Sequence, residues 1–244
     1  MRYAVLSDIH GNLEALRAVL ERVAALDADR ILCCGDIVGY NADPKACVAI
    51  VRSEGIMSVL GNHDAVACGL MEPERFTARA RRAALWTRDR IDDEERAFLL
   101  GLPREKRISS LFLCHGTVHD TDHYLLTVGD TEDAFRLLAG LPGRPAVCFF
   151  GHTHVQAAFR MTGEKIAVER RELFPLERGS RYLVNPGAVG QPRDGDPRAS
   201  FVIYDEAEQT VSFHRVEYDL AACQDKIIRA GLPPELAARL ELGR

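Results

Sequence analysis

No apolar run in this chain approaches the roughly 18 residues that a membrane-crossing helix needs. After Arg2 only the short apolar segment Tyr3 to Leu6 precedes Asp8, too little for the core of a secretory signal, so a cytoplasmic protein is expected. Positive charge is not in surplus either. The 31 basic residues face 36 acidic ones, for a net charge of -5, which argues against a dedicated nucleic-acid surface. An anionic substrate stays compatible with that total, because charge in a pocket matters more than charge overall. Lysine is scarce, with only Lys45, Lys106, Lys165 and Lys226 beside a large majority of arginine. That imbalance reads as codon bias, since a count without positions builds no phosphate site. No Cys-x-x-Cys pair offers a zinc knuckle. The 7 cysteines are an odd number, and Cys33, Cys34, Cys114 and Cys148 lie within apolar runs, as small buried hydrophobes do in a reducing compartment.

What is present is an ordinary globular composition, 47% hydrophobic and 27% charged over 244 residues. A chain of this length buries enough surface without disulfide staples, and one domain over residues 1–244 is expected. Strand-like segments recur at Tyr3–Ser7, Arg30–Gly35, Met57–Gly61, Ser110–His115 and Ala146–Gly151, each short, apolar and closed by polar residues. Helical spacing of Leu13, Leu16, Leu20, Val23 and Leu26 follows Asn12, a suitable N-cap. Asp43-Pro44 and Gly55 bracket a second helix. Strand and helix in alternation predict parallel βαβ units. A charged, helical insert is expected over about residues 70–107, with Asp92-x-x-Glu95 as a capping box. After His154 the chain turns strand-rich and predicts an antiparallel half, followed by a helix from Leu220 stopped at Gly231.

The informative feature is where the histidines fall. His10, His63, His115, His152 and His154 each stand at or just after the carboxyl end of a predicted strand, as do Asp8, Asp36, Asn62 and Asp64. Open α/β sheets bind ligands at that edge, so these segments should converge. Each residue alone is an unremarkable cap or turn former; their joint arrival is not. Asp8-x-His10, Asp36, Asn62, His115 and His152-x-His154 supply oxygen and imidazole but no thiolate, a mixture suited to Mn, Fe, Co, Ni or Zn. On an extended segment residues i and i+2 point the same way, so both pairs could aim at one locus. The set is too large for one tetrahedral ion and suits two ions sharing a carboxylate.

As blocks, Asp8-Ile9-His10, Gly35-Asp36, Gly61-Asn62-His63-Asp64, His115-Gly116 and Gly151-His152-Thr153-His154 resemble the calcineurin-like metallophosphoesterase superfamily, in that family's order. The resemblance implies an α/β fold, a four-layer α/β/β/α sandwich with two mixed β-sheets. It also implies two divalent transition-metal ions, with Mn favoured and Fe, Ni, Co or Zn as alternatives. By position, Asp8, His10, Asp36 and His154 would hold one ion, and Asp36 would bridge to a second held by Asn62, His115 and His152. The implied reaction is hydrolysis of phosphodiester or phosphoanhydride bonds, of nucleotide or dinucleotide type, by a hydroxide shared between the ions. No Ser or Cys stands in a nucleophile motif. His63 would protonate the leaving oxygen or stabilise the transition state. Asp64 would orient His63 through an imidazole–carboxylate hydrogen bond, cap a helix, or do both.

Differences between branches narrow the resemblance. Purple acid phosphatases place a tyrosine ligand three residues after the Gly-Asp aspartate, where this chain has Gly39. Serine/threonine phosphatases carry Gly-Asp-x-Val-Asp-Arg-Gly, and this chain reads Gly35-Asp36-Ile37-Val38-Gly39-Tyr40. What remains is similar to the compact bacterial and archaeal phosphodiesterase-type branch, whose members share a segment like Asn185–Arg193. Arg193 in it meets a substrate phosphate or lies in a surface turn. The insert and the segment from His119 to Thr131 should shape the pocket entrance, with His119 and His123 as candidate substrate contacts. The expected partner is a small phosphorylated substrate; pairing of the strands after Ala199 would allow an oligomer. Two other readings are a phosphomonoesterase and a non-catalytic protein-binding scaffold of the same fold. The complete ligand set argues against the scaffold.

Overall fold

The computed structural model describes residues 1–125 and 127–244. In chain order the elements are β1 (Arg2–Leu6), α1 (Leu13–Ala24), β2 (Arg30–Cys33), α2 (Pro44–Ser53), β3 (Met57–Ser58), α3 (Asn62–Ala67), α4 (Ala78–Arg88), α5 (Asp93–Leu100), β4 (Glu105–Ile108) and β5 (Leu111–Cys114). They continue with α6 (Val128–Gly140), β6 (Val147–Phe149), β7 (Gln156–Thr162), β8 (Lys165–Glu169), β9 (Leu173–Pro175), β10 (Ser180–Pro186), β11 (Ala199–Asp205), β12 (Thr210–Val216), α7 (Leu220–Arg229) and α8 (Pro234–Glu241). Two mixed six-stranded sheets run β3-β2-β1-β11-β12-β9 and β4-β5-β6-β10-β7-β8.

Alternation along each central strand explains the layering. Tyr3 and Val5 of β1 and Leu32 of β2 face Leu111, Leu113, Val147 and Phe149 of the other sheet, forming the core between the sheets. The intervening Ala4, Leu6 and Cys33 face α1 and α2, packing on Leu16, Val19, Val48 and Val51. On the far side Phe112, Cys114 and Cys148 meet Phe135 and Leu138 of α6. A strand covered on both faces must be apolar at successive positions, which is why these segments read as short continuous apolar runs. All seven cysteines are buried and free. Among the described residues no helix is long and apolar enough to cross a membrane.

The parallel pairing of β1, β2 and β3 follows the expected βαβ pattern. The caps do as well: Asn12 accepts from the Ala15 amide, and Asp92 and Glu95 form the capping box of α5. The antiparallel half expected after His154 is not one body. β11 and β12 join the first sheet beside β1, whereas β7, β8 and β10 join the second, with β10 running parallel to β6. Pairing between strands some two hundred residues apart, such as Arg2 with Asp205, leaves no local trace in the sequence. The insert is helical through α4 and α5, but Glu105–Ile108 is strand β4, paired antiparallel with β5. The helix expected at Asp64 is α3, though its N-cap is Gly61 and Asp64 stands at its third position; helices α6 and α8 and strand β9 have no counterpart in the sequence pattern.

A satellite core positions what will matter below. Tyr40, Ala80 and Ala83 of the insert side pack with Cys223, Ile227, Leu236, Ala237 and Leu240 of α7 and α8. It ties α4 and α8 to the loop after β2.

Candidate metal centre

The carboxyl ends of β1, β2, β3, β5 and β6 meet at one edge, and main-chain hydrogen bonds stitch their loops together. Asp8 N donates to Gly35 O at 3.0 Å, His10 N to Asp36 O at 2.9 Å, and Gly151 N to His115 O at 2.7 Å. Asp8, His10, Asp36, His152 and His154 all adopt positive φ, between 50° and 67°. L residues other than Asn and Asp rarely occupy this left-handed region, and its repeated use is a mark of functional constraint. It also corrects the expected geometry. Asp8-x-His10 and His152-x-His154 converge because tight left-handed turns fold them inward, not because they alternate along an extended strand.

Seven side chains meet there, all buried: Asp8, His10, Asp36, Asn62, His115, His152 and His154. They form two main groups, Asp8 with His10 and His154, and Asp36 with His115 and His152, each with ligand atoms within 4.8 Å of one another. Asp36 Oδ2 lies 3.5 Å from His10 Nε2 and 3.2 Å from His115 Nε2, so it faces both groups. Asn62 Oδ1 sits 3.0 Å from His115 Nε2, while its Nδ2 donates to Asp122 Oδ1 at 3.1 Å.

These residues fit a cation site on their own chemistry. The Nδ1 atoms of His10, His115 and His154 lie 3.1, 2.8 and 2.6 Å from the carbonyl oxygens of Val38, Cys34 and Gln191. A carbonyl only accepts, so each Nδ1 carries a proton and each ring turns its Nε2 inward, the atom through which a neutral imidazole would bind a cation. His10 Nε2 and His154 Nε2 then stand 3.1 Å apart, with Asp8 Oδ1 3.1 Å from the latter. Two imidazole nitrogens and a carboxylate oxygen gathered this closely suit a cation placed among them. Among the described residues the buried Asp8 Oδ1 and His152 Nε2 have no hydrogen-bond partner, which leaves them free to bind a cation.

Electrostatics agree. Burial would raise the Asp8 carboxyl, but His154 and His10 beside it hold it well below the ordinary range. Asp36 is likewise held down against its burial by His115, His63 and His10. Burial would lower His115, yet Asp36 against its ring raises it to about 10. His152 and His154 go the other way, to about 3 and about 4, through burial first and then the charges of His115 and Arg193 respectively.

His63 stands beside the ligands, its ring centroid 4.8 Å from that of His10 and its faces covered by Tyr40 and Phe76. Burial holds its pKa well below the usual value, against the pull of Asp36, so the ring is neutral. The expected hydrogen bond to Asp64 is not made. Asp64 is the third residue of α3, where its carboxylate reaches back to the helix start and accepts from Gly61 N at 3.1 Å and Val38 N at 3.0 Å. Among the described residues His63 Nδ1 has no hydrogen-bond partner. Asp64 is therefore a capping residue that locks the loop after β2 onto α3. Its own pKa rises to about 6, through burial and then Asp36.

A cavity of about 330 Å³ opens over the cluster. Arg193 lines it, with its main-chain N donating to His154 O at 3.1 Å and its guanidinium to Tyr40 Oη at 3.2 Å. Arg193 is thus part of the site and not a surface turn. His119 is not: it lines a neighbouring cavity with Arg104 and Asp120, largely exposed. His123 is also exposed, near Asp130. The insert and the loop after β5 do form the entrance, through Phe76, Arg75 and Arg79 on one side and Asp122 and Tyr124 on the other. Tyr124 covers His152, ring centroids 3.9 Å apart, and Arg239 of α8 closes the rim. The sequence carries no motif that marks Asp122, Tyr124 or Arg239.

Residues 1–209 match the calcineurin-like phosphoesterase superfamily domain. An uncharacterized protein of Methanocaldococcus jannaschii is 37% identical over 99% of this chain and 98% of its own. A metallophosphoesterase from Sphaerobacter thermophilus superposes with a TM-score of 0.86 at 37% identity, covering 100% of this chain and 99% of that one. A hypothetical protein of Pyrococcus horikoshii shares the fold, with a TM-score of 0.82 at 20% identity over 100% and 98% of the two chains. Motif blocks, two-sheet architecture and convergent ligands agree with these matches, and the chain belongs to the calcineurin-like phosphoesterase superfamily.

Proposed function

We propose that this protein is a dinuclear metal-dependent phosphohydrolase that cleaves phosphodiester or phosphoanhydride bonds of small phosphorylated substrates in the cytoplasm. The observation that carries the reading is that His154 Nε2 lies 3.1 Å from both His10 Nε2 and Asp8 Oδ1, with Asp36 between that group and His115. Asp8, His10 and His154 would hold one ion and Asn62, His115 and His152 the other, with Asp36 shared. Divalent ions there, manganese being the preferred candidate, would make water nucleophilic at neutral pH and neutralise phosphoryl charge.

The chain's own contribution is positioning and charge. Carbonyls of Val38, Cys34 and Gln191 fix three imidazoles in the tautomer that presents Nε2. Neutral His63 lines the cavity and offers a ring N–H to a phosphoryl or leaving oxygen. In the overall reaction the water oxygen bonds to phosphorus, the bridging P–O bond breaks, and the leaving oxygen gains a proton. Arg193 adds a fixed positive charge at the rim.

The test is a hydrolysis panel on metal-loaded protein, using bis(p-nitrophenyl) phosphate, p-nitrophenyl phosphate and dinucleoside polyphosphates with Mn, Fe, Co, Ni, Zn and Mg. Turnover that needs added metal and favours diesters or anhydrides is expected. A protein that binds two metal equivalents yet hydrolyses none of these would overturn the proposal in favour of a scaffold. A preference for the monoester would make it a phosphomonoesterase.

A further inference from the structure

Of the four arginines that line the metal cavity, Arg75 faces Asp122 at 4.0 Å, and three others from segments outside the motif blocks converge on the rim: Arg193 after β10, Arg79 of α4 and Arg239 of α8. None of the three makes an ion pair with an Asp or Glu within 4.0 Å among the described residues. The Arg193 guanidinium has neutral partners, Tyr40 Oη at 3.2 Å, Gln191 Oε1 at 3.1 Å and the Tyr124 hydroxyl, and among the described residues its Nε has no hydrogen-bond partner. Arg239 donates through Nε to the main-chain oxygen of Arg244. The three charges feel one another: burial, then Arg193, with Arg79 adding to it, push Arg239 down to about 10. Their positions are not accidents of mobile side chains. The satellite core of Tyr40, Ala80, Ala83, Leu236 and Leu240 fixes the helices that carry Arg79 and Arg239 beside the ring on which Arg193 rests.

Like charges gathered in a half-buried rim whose carboxylate at the entrance, Asp122, already faces Arg75 are unfavourable in the free protein. An anion relieves them, and the guanidinium fork matches phosphate oxygens in pairs. The metal cluster is expected to take the scissile phosphate, so this rim lies where the next group of the substrate would be. We propose that Arg193, Arg239 and Arg79 form a second anion subsite that takes a further phosphate of the substrate, selecting compounds with two or more phosphates in a row over simple diesters. The inference rests on the phosphohydrolase reading above and deepens it.

The experiment compares inorganic triphosphate with orthophosphate by isothermal titration calorimetry on Mn-saturated protein, each ligand pre-equilibrated with the same metal. Wild-type protein should bind triphosphate about a hundredfold more tightly than orthophosphate, from two or more charge-assisted contacts. Arg239→Gln and Arg79→Ala should each shrink that ratio about tenfold, with Arg239→Lys recovering part of it. Arg79 is exposed, so Arg79→Ala reports even where an Arg239 variant folds poorly. Equal affinity for both ions in the wild type, or a ratio unmoved in both variants, overturns the subsite. Diester turnover without triphosphate preference would remove the subsite and leave the phosphohydrolase. Triphosphate preference without any hydrolysis would remove the phosphohydrolase and leave the subsite.

Discussion

Gly61→Ala is the sharpest single perturbation of this site, because it adds one methyl group against the shared carboxylate. A Cβ on Gly61 would stand 2.7 Å from Asp36 Cγ, and closer still to its Oδ1 and main-chain nitrogen. Ordinary contact begins at 3.4 Å, so the carboxyl carbon must retreat by at least the difference, and the main chain of β2's loop moves with it. That retreat stretches the hydrogen bond from His63 N to Asp36 Oδ1, now 2.9 Å, and pulls the carboxylate from between the two ligand groups. Overpacking of this kind costs about 1–3 kcal/mol. A weakened hydrogen bond to a charged group adds about 1.5–3 kcal/mol. For a chain of this size the melting temperature should fall by roughly 10 °C. Misplacing the shared ligand by about an ångström should lower kcat about a hundredfold. Differential scanning fluorimetry, metal analysis by mass spectrometry and diester kinetics read the three effects. A Gly61→Ala protein with wild-type melting temperature, two metal equivalents and full kcat would refute the reasoning from Asp36 outward.

Other perturbations separate the roles of neighbouring residues. His63→Ala removes a group that holds no metal in this reading, so metal content should stay while turnover drops about 10²–10⁴-fold, checked by metal analysis beside kinetics. Asp64→Ala leaves the buried amides of Gly61 and Val38 without acceptors. It should cost about 2–4 kcal/mol in denaturant unfolding, with a greater effect on stability than on the pH profile of kcat. Chelation should lower the melting temperature, because a ligand at a hundred times its Kd stabilises the folded state by about 2.7 kcal/mol. The metal-free protein should be most stable near pH 6.5, the ordinary histidine value. His152 and His154, lowered to about 3 and 4, contribute stability above 6.5 that is lost as pH falls through those values. His115, raised to about 10, contributes stability below 6.5 that is lost as pH rises towards 10. A melting temperature of the chelated protein that climbs steadily from pH 5 to pH 9 would contradict those assignments.

The candidate ligand set was legible because each of its residues sits within a few positions of the strand that carries it. Asp8 follows β1 directly, Asp36 follows β2, His115 follows β5 and His152 follows β6, so an apolar run ending in a polar residue marks them all. The helix caps at Asn12 and Asp92 were legible for the same local reason. How the ligands converge was not. Left-handed turns at Asp8, His10, Asp36, His152 and His154 are held by hydrogen bonds between loops far apart in sequence, and no residue pattern announces them. Asp64 shows the same limit: its neighbour in sequence is His63, but the start of α3 directs its carboxylate to backbone amides instead.

By itself, the sequence determined which strands are covered on both faces, since burial on two sides demands continuous apolar runs, and it determined which side chains are the candidate metal ligands. Tertiary structure alone decided which sheet each late strand joins, because a backbone ladder pairs any extended segment whatever its side chains. It alone also brought Arg79, Arg193 and Arg239 to one rim: the apolar contacts that fix α4 and α8 lie among residues scattered from Tyr40 to Leu240. The shortage of lysine and the excess of acid in the whole chain foretold nothing of that rim. Its positive charge comes from where three arginines are held, and not from how many the chain contains.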